Sequence, residues 1–310
     1  MIFLKILVTG ASGLVGFEIS EQLSVSGHDV VAAYFQHSAG SKSVKLDIGD
    51  EDSMRSTLEQ HKPDWVIHCA ALTNVDECEK NPEKAFEMNG NASGRLARIV
   101  KKQKAKIAYI STSFVFGGAQ EKTSKKSADA SLPLKEDATP APINEYGKSK
   151  LEGEKQIIAS GARHLILRID QPYGWAMPWQ KSNMVTWTLD KFAAKEPFSI
   201  VYDWYNQPVY LGNFAPVCAR LIEKDAQGIF HCAGGERISR YDWAQRIGRT
   251  FGCDLRLLTK STSATLNLPA KRPDVLLDNS KAEKLTGIKM MGIDAGLAAM
   301  KKNRPAAANQ

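Results

Sequence analysis

Tyr146 and Lys150 stand four residues apart in "EYGKSK" (145–150), with only Gly, Lys and Ser between them. On a helix, that spacing stacks a phenol and an ammonium on one stripe, one turn apart. One reading is surface decoration, stabilising a helix by about 0.2–0.5 kcal/mol. The other is proton transfer. A free tyrosine has a pKa near ~10, too high to trade protons readily at neutral pH, and a neighbouring ammonium favours the phenolate. A second constellation decides between them. In "TGASGLVG" (9–16), Gly10, Gly13 and Gly16 recur every third residue between an apolar N-terminal run and an amphipathic segment. Glycine lets the backbone turn tightly against a pyrophosphate, and the following helix N-terminus offers unpaired N–H groups. A glycine trio alone says little; between a strand and a helix it points to a dinucleotide.

Those residues need a scaffold. Strand-length apolar runs recur at 3–8, 29–34, 64–69, 106–111 and 164–169, with helical spacing at 14–25, 51–61, 82–103 and 146–160. Strands apolar on both faces and separated by helices predict a parallel sheet with helices on either side. The fold class expected is therefore α/β, a doubly wound Rossmann-type sheet, with a smaller C-terminal α+β substrate lobe. After residue 170 the rhythm breaks at "QPYGWAMPWQ". A helix (184–195), a strand (198–203), a helix (213–224), a strand (228–232) and a helix from Ser239 follow, the last with a Ser239/Asp242 start signal. The expected division is 1–170 plus 212–233 for the dinucleotide domain, 171–211 plus 234–302 for the lobe, and a tail at 303–310. Residues 118–131 read as a loop or insertion.

Composition narrows the function classes. The 310 residues are 43% hydrophobic and 24% charged, ordinary for a globular chain. A net charge of +7 suits an anionic partner. Its lysines are spread out, with clusters at 101–106 and 122–126, and no aromatic-interleaved basic segment speaks for nucleic acid. Five cysteines (Cys69, Cys78, Cys218, Cys232, Cys253) without a CxxC pair argue against a disulfide frame or a metal site and for a reducing cytoplasm. "MIFLKILV" is too short and too charged for a signal peptide, and no run approaches the ~18 apolar residues of a membrane span. The expectation is a cytoplasmic protein, monomer or homodimer, with no nucleic-acid or membrane partner.

Between residues 30 and 46 there is no acidic side chain to hold an adenosine ribose, as an NAD-preferring site usually has. His37, Ser38 and Lys42 are polar or basic there instead, although an arginine is missing. The expected cofactor is NADPH, with NADH left open. Asp47 is placed either to meet the adenine or to serve as a turn residue before the next helix.

With a dinucleotide site in view, the chain resembles the extended short-chain dehydrogenase/reductases over essentially its whole length. The motifs are "TGASGLVG", "HCAALTNVDECEKNPEKAFEMN", "ISTSFVFGG" and "EYGKSKLEGE", in the right order; "RPDVLLDNSK" (272–281) adds to the likeness. Within that superfamily it looks most like dTDP-4-dehydrorhamnose reductase. The resemblance implies a catalytic triad of Thr112, Tyr146 and Lys150, with Lys150 also holding the nicotinamide ribose and Thr112 bonding the reacting oxygen. It implies cofactor contacts from Gly10, Ser12, Gly13, Leu14, Val15, Gly16, Tyr34, His37, Asp47, Ile48, Cys69, Ala70, Ala71 and Ser111. Asn89 is expected as a buried polar support, or else as a solvated helix residue.

Three departures bear on the substrate. The family's "STDYVF" is "STSFVF", so Ser113 replaces a carboxylate. Gln171 stands where a tryptophan is common, and Trp175 or Trp179 either compensates for it or serves as core. "DWYNQPVY" (203–210) has Trp204 for Gln and Val209 for Thr. Expected substrate contacts are Thr73, Ser113, Phe114, Gln171, Asp203, Asn206 and Arg272, the last three being equally open to a structural role. The resemblance implies an NAD(P)H-dependent reductase of a keto-deoxy nucleotide sugar. Alternatives are a nucleotide-sugar epimerase on the same scaffold, or a non-catalytic subunit like the regulatory β subunit of methionine adenosyltransferase, which resembles this family and carries the tyrosine–lysine motif.

Overall fold

The computed structural model describes residues 3–38, 43–117 and 133–305; Lys42, the stretch 118–131 and residues 306–310 of the tail lie outside the described residues. Seven parallel strands form the main sheet in the order β3-β2-β1-β4-β5-β6-β9. They are β1 (Lys5–Thr9), β2 (Asp29–Tyr34), β3 (Ser43–Lys45), β4 (Trp65–His68), β5 (Lys106–Thr112), β6 (Arg163–Ile169) and β9 (Gly228–His231). The doubly wound parallel sheet expected from the sequence is what forms.

Two-residue alternation explains its layers. Ile6 and Val8 point to one face, with Ile67, Ala108, Leu165 and Leu167, against helices Leu14–Val25 and Leu211–Glu223. Leu7, Val66, Ile107, Tyr109 and Ile166 point to the other, against helices Glu51–His61, Ala92–Lys102 and Glu145–Ala159. Each fully buried aliphatic side chain contributes about 1.5–3 kcal/mol. Because β1 lies between β2 and β4, successive connections diverge from it. That leaves a crevice at the carboxyl ends of β1 and β4, where such sheets take ligands.

The smaller lobe holds two short strand pairs, β7 (Phe198–Val201) with β11 (Leu258–Ser261) and β8 (Tyr205–Asn206) with β10 (Ile238–Ser239). Helices Met184–Ala193, Arg240–Phe251 and Ile293–Lys302 enclose its core of Tyr173, Tyr210, Trp243, Ile247 and Leu297. Ser239 caps its helix by accepting the Asp242 N–H, as its sequence signal predicts.

The single helix expected over 82–103 is a correction. Helix Pro82–Ala85 passes through a wide π turn at Phe86–Asn91 into Ala92–Lys102. The Asn89 carbonyl accepts the Tyr109 hydroxyl (3.0 Å) and the Ser93 hydroxyl (2.8 Å), so tertiary partners hold the bulge.

Candidate active site

The glycine turn is shaped by contacts that leave no room for a Cβ. Gly10 has φ of +65°, and a Cβ there would lie 2.7 Å from the Ala70 nitrogen. At Gly16 a Cβ would meet the Gly10 carbonyl oxygen at 2.4 Å, so the helix starts flush against the turn. Gly13 caps that helix without a side-chain acceptor, which leaves its first N–H groups facing the crevice. Backbone exposed this way fits the diphosphate of a dinucleotide.

Helix Glu145–Ala159 is pressed equally hard against the sheet. A Cβ at Gly147 would lie 2.1 Å from the Phe114 carbonyl oxygen, and one at Gly153 2.3 Å from that of Asn89. Asn144 caps the helix by accepting the Gly147 N–H at 2.7 Å. So fixed, Tyr146 stands beside the Thr112 hydroxyl and meets the Phe114 ring edge-on at 5.7 Å. Lys150, 2% exposed, donates from Nζ to the Ile110 carbonyl at 2.8 Å and sits 3.9 Å over the Tyr109 ring.

The electrostatics correct one expectation. Burial raises the Tyr146 phenol, opposed by the Thr112 hydroxyl and reinforced by Cys78 and Asp170, so its pKa moves away from neutrality. Lys150 is itself pushed down to about 7 by burial, against Glu154, Cys69 and Cys78. Spacing of one helical turn places the two groups on one face, but the lysine's head is turned toward β5.

Thr112, Tyr146 and Lys150 open with the glycine turn onto a single cleft of about 560 Å³. Of the expected residues, Gly10, Gly13, Leu14, Val15, Gly16, Cys69, Ala70, Ala71, Thr73, Ser111, Phe114 and Gln171 also line it. Ser111 is tied down from behind, its hydroxyl donating to Glu154 at 2.5 Å, while Arg168 grips the same carboxylate through Nε and Nη2. Asn89 is fully buried, which rules out the solvated alternative. Its amide accepts the Leu72 N–H (2.8 Å) and donates to the Leu72 carbonyl and Ser149 hydroxyl (both 3.0 Å). It braces the wall rather than lining it.

Other expected residues stand outside this lining. Ser12 turns its carbonyl to Trp179 Nε1 (3.1 Å) and Gln180 Nε2 (3.0 Å), so a strap from the smaller lobe crosses to the glycine turn. Tyr34 ends β2, His37 is exposed beyond it, and Ile48 is core. Asp47 Oδ1 accepts the Gly49 N–H at 2.8 Å, the turn role weighed for it.

Beyond Gln171, Pro172 and Ser182 the cleft continues into a cavity of about 570 Å³, lined also by Trp187, Trp204 and Arg240, and then one of about 370 Å³ holding Asp203 and Arg272. Gln171, strained at φ +36°, accepts from Arg240 Nη2 at 3.3 Å. Asn206 accepts from Arg240 Nε at 3.1 Å, and the guanidinium stacks 3.7 Å over Trp204. Burial lowers Arg240 to about 10, opposed by Asp170. Asp203 spends both oxygens on Ser263, and Arg272 pairs with Asp76 at 2.7 Å. Two expectations change here. Trp175 bonds the Met300 carbonyl in the lobe core and Trp179 latches Ser12, so the tryptophans that line the cavity are Trp187 and Trp204. Ser113 is buried and donates to Asp170 at 2.9 Å; it does not line the cleft, whereas Asp170 does. Arg240 carried no sequence signal beyond its helix start. Asp170, a carboxylate directly after an apolar strand, carried one that went unused.

Comparison with known proteins agrees with this layout. The family profile described as RmlD substrate binding domain matches residues 4–304. A probable low-salt glycan biosynthesis reductase of Haloferax volcanii is 32% identical over 299 residues, covering 94% of this chain and 96% of that protein. Methionine adenosyltransferase 2 subunit beta of Pongo abelii is 31% identical, covering 91% of this chain and 82% of that one. Among solved structures, a dTDP-4-dehydrorhamnose reductase ortholog of Clostridium acetobutylicum superposes with a TM-score of 0.83 at 30% identity, covering 96% of this chain and 98% of that one.

Proposed function

This chain belongs to the RmlD substrate binding domain family, and on that footing we propose that it is an NADPH-dependent reductase of a keto-deoxy nucleotide sugar, similar to dTDP-4-dehydrorhamnose reductase. The observation that carries the reading is the convergence of Thr112, Tyr146 and Lys150 with the glycine turn on one cleft that runs on into two further cavities. The exposed backbone at Gly10 and Gly13 and the uncapped helix start hold the cofactor's diphosphate, and Lys150 holds its nicotinamide ribose. A bound reduced nicotinamide supplies hydride. Tyr146, kept a phenol by burial, donates its proton to the carbonyl oxygen, which Thr112 also bonds. The nucleotide diphosphate lies toward Arg240 and Arg272, with Trp204 between them and Asn206 setting Arg240. The absence of an acidic side chain in 30–46 supports NADPH over NADH.

The test is a panel of keto-sugar nucleotides followed by loss of NADPH absorbance, with Tyr146→Phe as control. Turnover of none of them by the purified chain, or full activity in the Phe variant, sinks the assignment. A second reading has its own support, the 31% identity to a methionine adenosyltransferase subunit beta. Under that reading the chain forms a stoichiometric complex with a methionine adenosyltransferase catalytic subunit and turns over no sugar nucleotide. Size-exclusion chromatography of the mixed proteins, beside the absorbance assay, separates the two.

A further inference from the structure

Among the described residues that line the dinucleotide cleft, Asp170 is the one acidic side chain. It follows β6 directly, and β6 pairs with β5 so that Ile169 lies beside Thr112. The carboxylate therefore sits one residue beyond the strand pair that carries the catalytic threonine. Asp170 is 4% exposed; Oδ1 accepts the Ser113 hydroxyl at 2.9 Å, and Oδ2 accepts the Gln207 N–H at 2.6 Å. Among the described residues no salt bridge reaches it; the Arg240 guanidinium, held by Asn206 and Gln171, favours its charged form without contacting it. A carboxylate offers about four acceptor sites, and these two contacts leave the remainder for a group in the cleft. Holding Ser113 and residue 207 would need only a neutral amide, whereas burying an unpaired carboxylate is costly. The extra charge calls for a donor from the ligand.

We propose that Asp170 is a specificity-determining residue whose carboxylate accepts a hydrogen bond from a sugar hydroxyl on the carbon next to the one that is reduced. This rests on the nucleotide-sugar reading above and narrows its substrate class to α-hydroxy ketones. An analogue lacking that hydroxyl leaves the carboxylate buried without its donor, and sites of this kind reject such analogues strongly.

The experiment measures binding rather than turnover. NADP-loaded protein is titrated calorimetrically with dTDP-glucose and with its 3-deoxy analogue. Wild type is expected to favour the hydroxylated ligand by roughly tenfold or more. Asp170→Asn brings the two ligands to within about twofold of each other. The exchange variant Ser113→Asp with Asp170→Ser, which moves the carboxylate across the same hydrogen bond, regains part of the preference. Melting temperatures identify any variant that fails to fold, and the two-ligand comparison in wild type needs no variant. Equal binding of both ligands by wild type, or an undiminished preference in Asp170→Asn, overturns the inference while leaving the reductase reading in place. Wild type that binds NADP but neither sugar nucleotide overturns both.

Discussion

The two ends of the cleft are built differently. At the glycine-turn end the walls are largely backbone: Gly10 lies against Ala70, Gly16 against the Gly10 carbonyl and Gly147 against the Phe114 carbonyl, each closer than a Cβ would allow. At the far end the walls are side chains from separate elements, with Gln171 after β6, Trp187 on a helix, Trp204 before β8 and Arg240 at another helix start. Backbone walls cannot be varied without moving strands and helices. Side-chain walls can be exchanged one residue at a time. Under the function proposed above, such a division lets one chemistry be kept while its ligand changes, and the departures from the family pattern at 171 and 204 fall at the exchangeable end.

The comparison can be broken most sharply at Tyr146. Tyr146→Phe removes the proposed proton donor and leaves the ring contact with Phe114; kcat is expected to fall by about 10²–10⁴, with NADPH affinity by fluorescence titration unchanged. At the backbone wall, Gly10→Val forces a β-branched residue to positive φ and into Ala70. Cofactor binding should be lost and the melting temperature lowered, by a destabilisation of more than about 2 kcal/mol. If the variant binds NADPH normally, the backbone wall does not shape the site.

Lys150 sharpens the contrast through pH. Its folded pKa is lowered to about 7 from 10.5. Between those values the unfolded chain holds a proton that the folded chain has released, so stability rises with pH across that window, by at most about 1.4 kcal/mol per pH unit. Denaturant unfolding from pH 7 upward should show the rise in wild type. Lys150→Met should lack the rise and be more stable at pH 7, though inactive. At the side-chain wall the smallest change is expected. Arg240→Met keeps apolar packing on Trp204 without the guanidinium and should raise KM for the sugar nucleotide by roughly tenfold with the NADPH dissociation constant unaltered. A matching loss of cofactor affinity would mean that the two ends are not separable.

Much of the first end was legible because its determinants are local. Three glycines after an apolar run, and Tyr146 and Lys150 one turn apart, specify backbone shape and helix face within a few residues. Legibility failed where a residue's role depends on a distant partner. Asn206 and Asp203 were open to either a substrate or a structural role, and only distant partners show what each holds: Asn206 accepts from Arg240, and Asp203 closes a loop onto Ser263. Nothing near position 240 announces a guanidinium over Trp204. The π turn at Phe86–Asn91 was equally hidden, since its helical pattern is unbroken and the freed Asn89 carbonyl is held by the distant Tyr109 hydroxyl, from β5, together with that of Ser93.

The sequence by itself determined the parallel sheet, the glycine turn and the helix that presents Tyr146, because hydrophobic period, glycine placement and helical spacing act over short stretches of chain. Only the tertiary structure decided that Lys150 turns to the Ile110 carbonyl, that Asp170 stands in the cleft beside Ser113, and that Trp204 and Arg240 share a wall. Those outcomes follow from burial and from hydrogen bonds between residues dozens of positions apart, where desolvation must be balanced by partners that the local pattern does not name.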